Sequence, residues 1–418
     1  MNRALPWIVL FTMAAAAPTT THSPGPSTRT IHTMGAAGPP AKFLAPEPVT
    51  IPFDLHGNHI WMRGRLNDSD SLWMVLDTGA STSVMDGDLA KKLRFEAVGE
   101  GQAFGAGGVT ESRSIPGVTI HLPGVDLPNQ VVGTVPLASV SRQSGRSMDV
   151  VVGYPLFRNC AIEVDYDARV VRIWKGGSYQ YRGQGSIVPI TFIDNLPHVP
   201  AKVKLAGREA IAGHYVIDTG ASSAVTLAAP FVEKEQVLAA VGKTLATRSG
   251  GVGGMNENQT ARVDALVLGG QTLEQPIAIL RSPTAGGRIS GEGTDGNIGG
   301  DVLRRFKVTF DYPRKRMILE PGAAFREPFE ADMSGLVLHI ADDSTAAMQV
   351  VRTQSDSPAA EAGFTAGDVI EQVDGQPVEA LGITTLREMF RRPGETHRFG
   401  VRRGESRLEL SLTTRRMI

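Results

Sequence analysis

Apolar positions along most of this chain fall in short runs rather than at helical spacing. Val49-Thr50-Ile51-Pro52-Phe53 and Val118-Thr119-Ile120-His121-Leu122 alternate, while Ile60-Trp61-Met62 and Val170-Val171-Arg172-Ile173-Trp174 are nearly continuous. Gly, Pro, Asn and Asp divide these runs, so they read as strands joined by tight turns. Helical patterns are scarce, with short candidates at residues 86–93 and 230–238. The expected fold is mostly β.

The pattern also repeats. Asp77-Thr78-Gly79-Ala80-Ser81 follows the apolar run Trp73-Met74-Val75-Leu76, and Asp218-Thr219-Gly220-Ala221-Ser222 follows Tyr215-Val216-Ile217. Downstream, Asp149-Val150-Val151-Val152-Gly153 is echoed by Asp295-Gly296-Asn297-Ile298-Gly299, and Asp165-Tyr166 by Asp311-Tyr312. Between these landmarks each half carries a Gly-rich stretch, Phe104-Gly105-Ala106-Gly107-Gly108 and Gly250-Gly251-Val252-Gly253-Gly254. Nearly constant offsets between so many landmarks predict two related lobes in one chain.

Beyond about residue 320 the texture changes. Ser357-Pro358-Ala359, Ala362-Gly363, Gly367-Asp368-Val369-Ile370 and Asp374-Gly375 precede a helical segment at 384–391 and two alternating strands. Some ninety residues remain there, enough for a small independent domain. The expected divisions are a signal peptide at 1–20, a flexible leader at 21–45, lobes at 46–182 and 183–326, and a C-terminal domain at 327–418.

Composition narrows the function. With 42 basic and 43 acidic residues, charge is balanced, and nucleic acid is not an expected partner. The 47 glycines, about 11% of the chain against ~7% in an average protein, mark turns rather than disorder. Arg3 precedes an apolar stretch at 4–17, the length of a signal-peptide core and short for a membrane span, so the expected location is exported, periplasmic or extracellular. No stable span is expected after signal cleavage. Cys160 is the single cysteine and reads as a small buried residue. His56 and His59 lack the further ligands a metal requires, so no metal or other cofactor is expected. His214 is assigned to strand packing, and Asp149 and Asp295 to turns.

Two carboxyls in one site can share a proton, because like charges that close cannot both ionise. One then takes a proton from water while the other hydrogen-bonds a substrate carbonyl. Asp77 and Asp218 are the candidate pair. Thr78 and Thr219 offer hydroxyls to brace the two loops, and Gly79 and Gly220 expose amides beside the carboxylates. Ala80 and Ala221 cannot donate a side-chain hydrogen bond to the ionised pair, which predicts raised pKa values and activity at mildly acidic to neutral pH. Phe104, Gly105, Gly107, Gly251 and Gly253 are candidates for mobile hairpins over a peptide cleft.

These residues resemble the retropepsin-like aspartic proteases of bacterial type. In that family an apolar-apolar-Gly segment, here Val151-Val152-Gly153 and Asn297-Ile298-Gly299, packs beside each catalytic loop; Asn297 departs from the apolar pattern. The resemblance implies two β-barrel lobes fused in one chain, an active site complete in a monomer, and a peptide or protein substrate. The C-terminal segment resembles an α+β PDZ domain, which implies binding of a peptide C-terminus by strand addition, with Ser334, Gly335, Leu336 and Val337 as the candidate loop. The other reading is a catalytically weak or inactive adaptor that acts through this domain.

Overall fold

A computed structural model describes residues 38–287, 293–340 and 348–418. The expected signal peptide and most of the expected leader lie outside the described residues. At the leader's end, Lys42–Phe43 pairs with Val125 and Asp126.

In the first half, Leu72–Leu76 lies parallel to Val150–Val152 and antiparallel to His59–Leu66. Val84–Asp86 continues the sheet to Val125–Val135, and the long strand Val109–Leu122 pairs with both Val125–Val135 and His59–Leu66. That double pairing closes the sheet into a barrel. Inward positions such as Ile60, Met62, Met74 and Leu76 are at most 1% exposed. The second half repeats the plan: Ile211–Ile217 lies parallel to Gly296–Ile298 and antiparallel to Leu196–Lys204.

A six-stranded antiparallel sheet joins the halves, with three strands from each. At its centre Cys160–Asp165 pairs with Phe306–Asp311, Ala161 opposite Asp311 and Asp165 opposite Lys307. Glu163 faces Thr309 midway between them, so the register reads the same from either strand. The repeat seen in sequence is therefore a pseudo-two-fold axis in space. One hydrophobic core runs through both halves and includes Ile162, Val164, Val308 and Phe310.

Towards the C-terminus, Leu336–Ile340, Met348–Thr353, Val369–Val373, Thr396–Arg403 and Ser406–Thr413, with the short Gln376–Pro377 on Val369–Val373, form a separate sheet with Leu336–Ile340 at its edge. The helix Val378–Met389 packs on it through Ile383 and Leu386, and this segment has its own core. The described residues are thus mostly β, two similar lobes joined by a shared sheet and followed by a small α+β domain.

Of the three expected helices one stands where expected and two differ. The candidate at 86–93 is Gly87–Lys92, with Asp86 capping the amides of Asp88 and Leu89. The candidate at 230–238 is two short helices, Ala229–Lys234 and Val237–Ala240, because Gln236 adopts a left-handed conformation between them. Val378–Met389 starts earlier than expected and bends at Gly382, whose φ of 71° breaks the helical run.

Candidate active site

Each Asp-Thr-Gly loop begins where a buried strand ends. The Asp77 amide donates to the Val152 carbonyl and the Asp218 amide to Ile298, both at 3.0 Å, so the apolar-Gly strand of each half anchors its own loop. Further back, the Trp73 amide donates to Asp149 Oδ2 and the His214 amide to Asp295 Oδ2, each at 2.8 Å. Asp149 and Asp295 therefore hold the strands that lead into the loops.

Between the halves the threonines cross. Thr78 Oγ1 donates to the Ile217 carbonyl at 2.7 Å, and Thr219 Oγ1 to the Leu76 carbonyl at 2.8 Å. In return, the Thr78 amide donates to Thr219 Oγ1 and the Thr219 amide to Thr78 Oγ1, both at 3.0 Å. Both residues are buried, so losing either hydroxyl strands polar groups away from water.

This lock brings the carboxyls together. Gly79 donates to Asp77 Oδ1 at 2.7 Å and Gly220 to Asp218 Oδ1 at 3.0 Å. A Cβ on Gly79 would lie 2.5 Å from Asp218 Oδ1, and one on Gly220 would overlap the Asp77 carboxyl. Only glycine permits that approach. Asp77 and Asp218 thus stand close enough for each carboxyl to shift the other's titration. Burial raises the Asp77 carboxyl well above its ordinary range, and the neighbouring Asp218 charge adds to the effect. Burial also raises Asp218, but hydrogen bonds, first that from Asn297, oppose it.

Three residues of the surroundings escaped the sequence reading as parts of the site. Asn297 Nδ2 donates to Asp218 Oδ2 at 2.8 Å. His59 Nε2 donates to the Gly220 carbonyl at 3.0 Å, and Asn58 Nδ2 to the Ser222 carbonyl at 2.8 Å. His59 is half-buried, desolvation lowers its pKa, and its ring braces the Asp218 loop. Asn297 carried a legible signal, a polar residue at an apolar position of the repeat. Asn58 and His59 carried none, because the contact joins two distant segments.

The Gly-rich stretches are the tips of two hairpins, Val98–Phe104 with Val109–Leu122 and Thr244–Gly251 with Gly254–Arg262. The tips touch. The Gly107 amide donates to the Val252 carbonyl at 3.0 Å, and Asn256 Nδ2 to the Gly107 carbonyl at 2.9 Å. Ala103 and Val252 pack with Ala80 on a cluster containing Val151, which places the tips on the Asp77 side of the pair. Gly105, Gly107 and Gly253 have no room for a Cβ against the opposite tip, whereas Gly251 has ordinary contact with Ala106. Phe104 is 54% exposed.

In the PDZ domain, Ser334 precedes the edge strand and its Oγ bridges Asp332 Oδ1 and the Leu336 amide. The Gly335 carbonyl accepts from the Gln354 amide, and Val337 lies opposite Arg352 within the sheet. The space between this strand and the helix is lined by Leu338, Ile340, Ile383 and Arg387. Its far side is formed by Arg142 and Gln143 of the first lobe and by Arg248 and Met255 of the second lobe's hairpin. Thr384 Oγ1 donates to the Gln143 carbonyl at 3.2 Å. Arg352 pairs with Glu257 at 2.9 Å, and Gln354 Nε2 bonds the Ala246 carbonyl. The PDZ groove thus abuts the hairpin whose tip meets the other tip near the aspartates.

Cys160 is buried, its thiol pushed up to about 12 by desolvation, and takes no part in the site. Among the described residues no helix is long and apolar enough to cross a membrane.

Residues 62–156 match a family model described as aspartyl protease, and residues 349–403 match one described as PDZ domain. No curated protein matches the chain. Among solved structures, the aspartic proteinase from Irpex lacteus is similar over 67% of this chain and 98% of its own, at 14% identity and a TM-score of 0.43.

Proposed function

We propose that this chain, which carries an aspartyl protease domain and a PDZ domain, is an exported endopeptidase that activates water between Asp77 and Asp218. The observation that carries the reading is the reciprocal Thr78–Thr219 lock, which fixes two half-buried carboxyls against each other. Sharing one proton, the pair takes a proton from water while hydrogen-bonding the scissile carbonyl. The same two groups then deliver a proton to the leaving amine. Both half-sites lie in one chain, so a monomer suffices.

An extended peptide enters beneath the paired hairpin tips, which open to admit it and close to exclude water. The PDZ groove binds a peptide end by strand addition along Leu336–Ile340. Because Arg248 and Met255 of the hairpin form part of that groove, occupancy regulates the hairpin as well as recruiting substrate. Export rests on the N-terminal Arg3 and the apolar stretch at 4–17.

Cleavage of unfolded casein by wild type, Asp77→Asn and Asp218→Asn tests the chemistry. Cleavage by wild type and loss in both variants is expected. Activity that survives in either variant would reject the shared pair, and an inert wild type would favour an adaptor acting through its PDZ domain.

A further inference from the structure

The two catalytic loops are identical in sequence and almost identical in bonding, yet their strand neighbours differ at one position. Val151 lies opposite Val75 and Val84; Asn297 lies opposite Val216 and Thr226. Val75 and Val216 each stand two residues before their aspartate, so Val151 and Asn297 occupy the same place in the repeat. Val151 offers hydrocarbon and belongs to a small apolar cluster. Asn297, 2% exposed, points its amide nitrogen at Asp218 Oδ2 from 2.8 Å. An amide N–H is a donor only, so it favours a carboxylate over a protonated acid at that oxygen.

We propose that Asn297 is a positioning residue that decides which aspartate carries the shared proton, holding Asp218 as the carboxylate and leaving the proton on Asp77. The inference rests on reading the two aspartates as a hydrolytic pair. The titratable groups facing Asp218 are few. Asp77 lies across the pair, and its charge would disfavour a second carboxylate. His59, at the start of the strand His59–Leu66, is half-buried with its pKa lowered by desolvation, and when protonated its charge favours an ionised Asp218. Tyr312, which follows the strand Phe306–Asp311, is buried and its hydroxyl is held protonated by desolvation. None of them donates a hydrogen bond to Asp218 from the place that Val151 fills beside Asp77, so Asn297 is the polar side chain that breaks the symmetry.

The assignment gives each step a direction. Asp218 accepts a proton from water as the water oxygen bonds to the scissile carbon, and Asp77 passes its proton to the carbonyl oxygen. The product is a neutral gem-diol, with Asp218 now protonated and Asp77 ionised. As the C–N bond breaks, Asp218 gives its proton to the amine nitrogen and Asp77 recovers one from a diol hydroxyl. Products leave as acid and amine, and the pair returns to its starting state.

The test is carboxyl titration of 13C-aspartate-labelled full-length protein, with Asp77→Asn and Asp218→Asn assigning the two resonances. Wild type should ionise at Asp218 first, while Asp77 keeps its proton to a higher pH. In Asn297→Val, which copies Val151, the first ionisation should move up by about one pH unit, the worth of one charge-assisted hydrogen bond. Asn297→Ser, which keeps a donor, should recover part of the shift. A wild type that ionises first at Asp77, or a folded Asn297→Val whose first step does not move, overturns the proposal. If Asn297→Val does not fold, the order in wild type and the shift in Asn297→Ser decide. The readout needs no turnover, so an inert wild type with the expected order would reject the protease reading and leave this one standing.

Discussion

The two Asp-Thr-Gly-Ala-Ser loops share five residues and their bonds agree closely, yet they do not stand in the same surroundings. The Asp77 loop rests on hydrocarbon at Val151. The Asp218 loop is held by three polar side chains, Asn58, His59 and Asn297. Local sequence sets the shape of each loop, and a strand some eighty residues away sets the charge of its carboxyl. The hairpins differ in the same manner: Thr244–Gly251 with Gly254–Arg262 is tied to the PDZ domain through Glu257 and Ala246.

The comparison breaks most sharply at the carboxyls. If the halves contribute equally to one pair, Asp77→Asn and Asp218→Asn should each lower casein cleavage by about 10²–10⁴-fold, the usual worth of a positioned acid or base. A variant that keeps cleavage near the wild-type rate would mean that its aspartate stands outside the pair.

The threonine lock should be symmetrical in stability. Thr78→Val and Thr219→Val each remove a hydroxyl that both donates to a carbonyl and accepts from a buried amide. Each should cost on the order of 2–4 kcal/mol in urea unfolding. A difference between the two much beyond 1 kcal/mol would show that the pseudo-two-fold axis does not extend to the energetics.

Stability against pH sharpens the contrast between the carboxyls. Asp77 is raised in the folded state, so its contribution is present below the unfolded value of about 3.9 and is lost as pH rises through the folded value. Asp77→Asn removes that loss, so the variant should gain stability relative to wild type from pH 4 to pH 8. Asp218→Asn should gain less, because Asn297 offsets part of the burial penalty on Asp218. Urea midpoints at the two pH values check both signs.

The smallest effect concerns the hairpins. The Arg352–Glu257 pair is largely solvated and worth about 0–1 kcal/mol. Arg352→Ala should leave thermal stability within a few degrees and change basal cleavage by less than about threefold. It should also weaken the response of cleavage to an added C-terminal peptide. The corresponding charge change at Arg113, on the first lobe's hairpin, should leave that response intact.

Much of this arrangement was legible in the chain. The twin loops, the echoed Val-Val-Gly and Asn-Ile-Gly segments and the Gly-rich pairs are local strings, and each has a local structural consequence. Asn297 stood out as a departure, although its target oxygen did not. The brace from Asn58 and His59, and the contact of the helix Ala138–Ser144 with Thr384, join segments far apart in sequence and leave no periodic trace. The break at Gln236 was hidden too, since a non-glycine residue in the left-handed region carries little sequence signal.

The most direct measurement mixes the two inactive variants. Asp77→Asn and Asp218→Asn, combined in equal amounts on unfolded casein beside wild type, ask whether one chain holds the whole site. The account predicts cleavage by wild type at mildly acidic to neutral pH and none by the mixture. Activity regained on mixing would mean that the carboxyls meet between chains, and would contradict it.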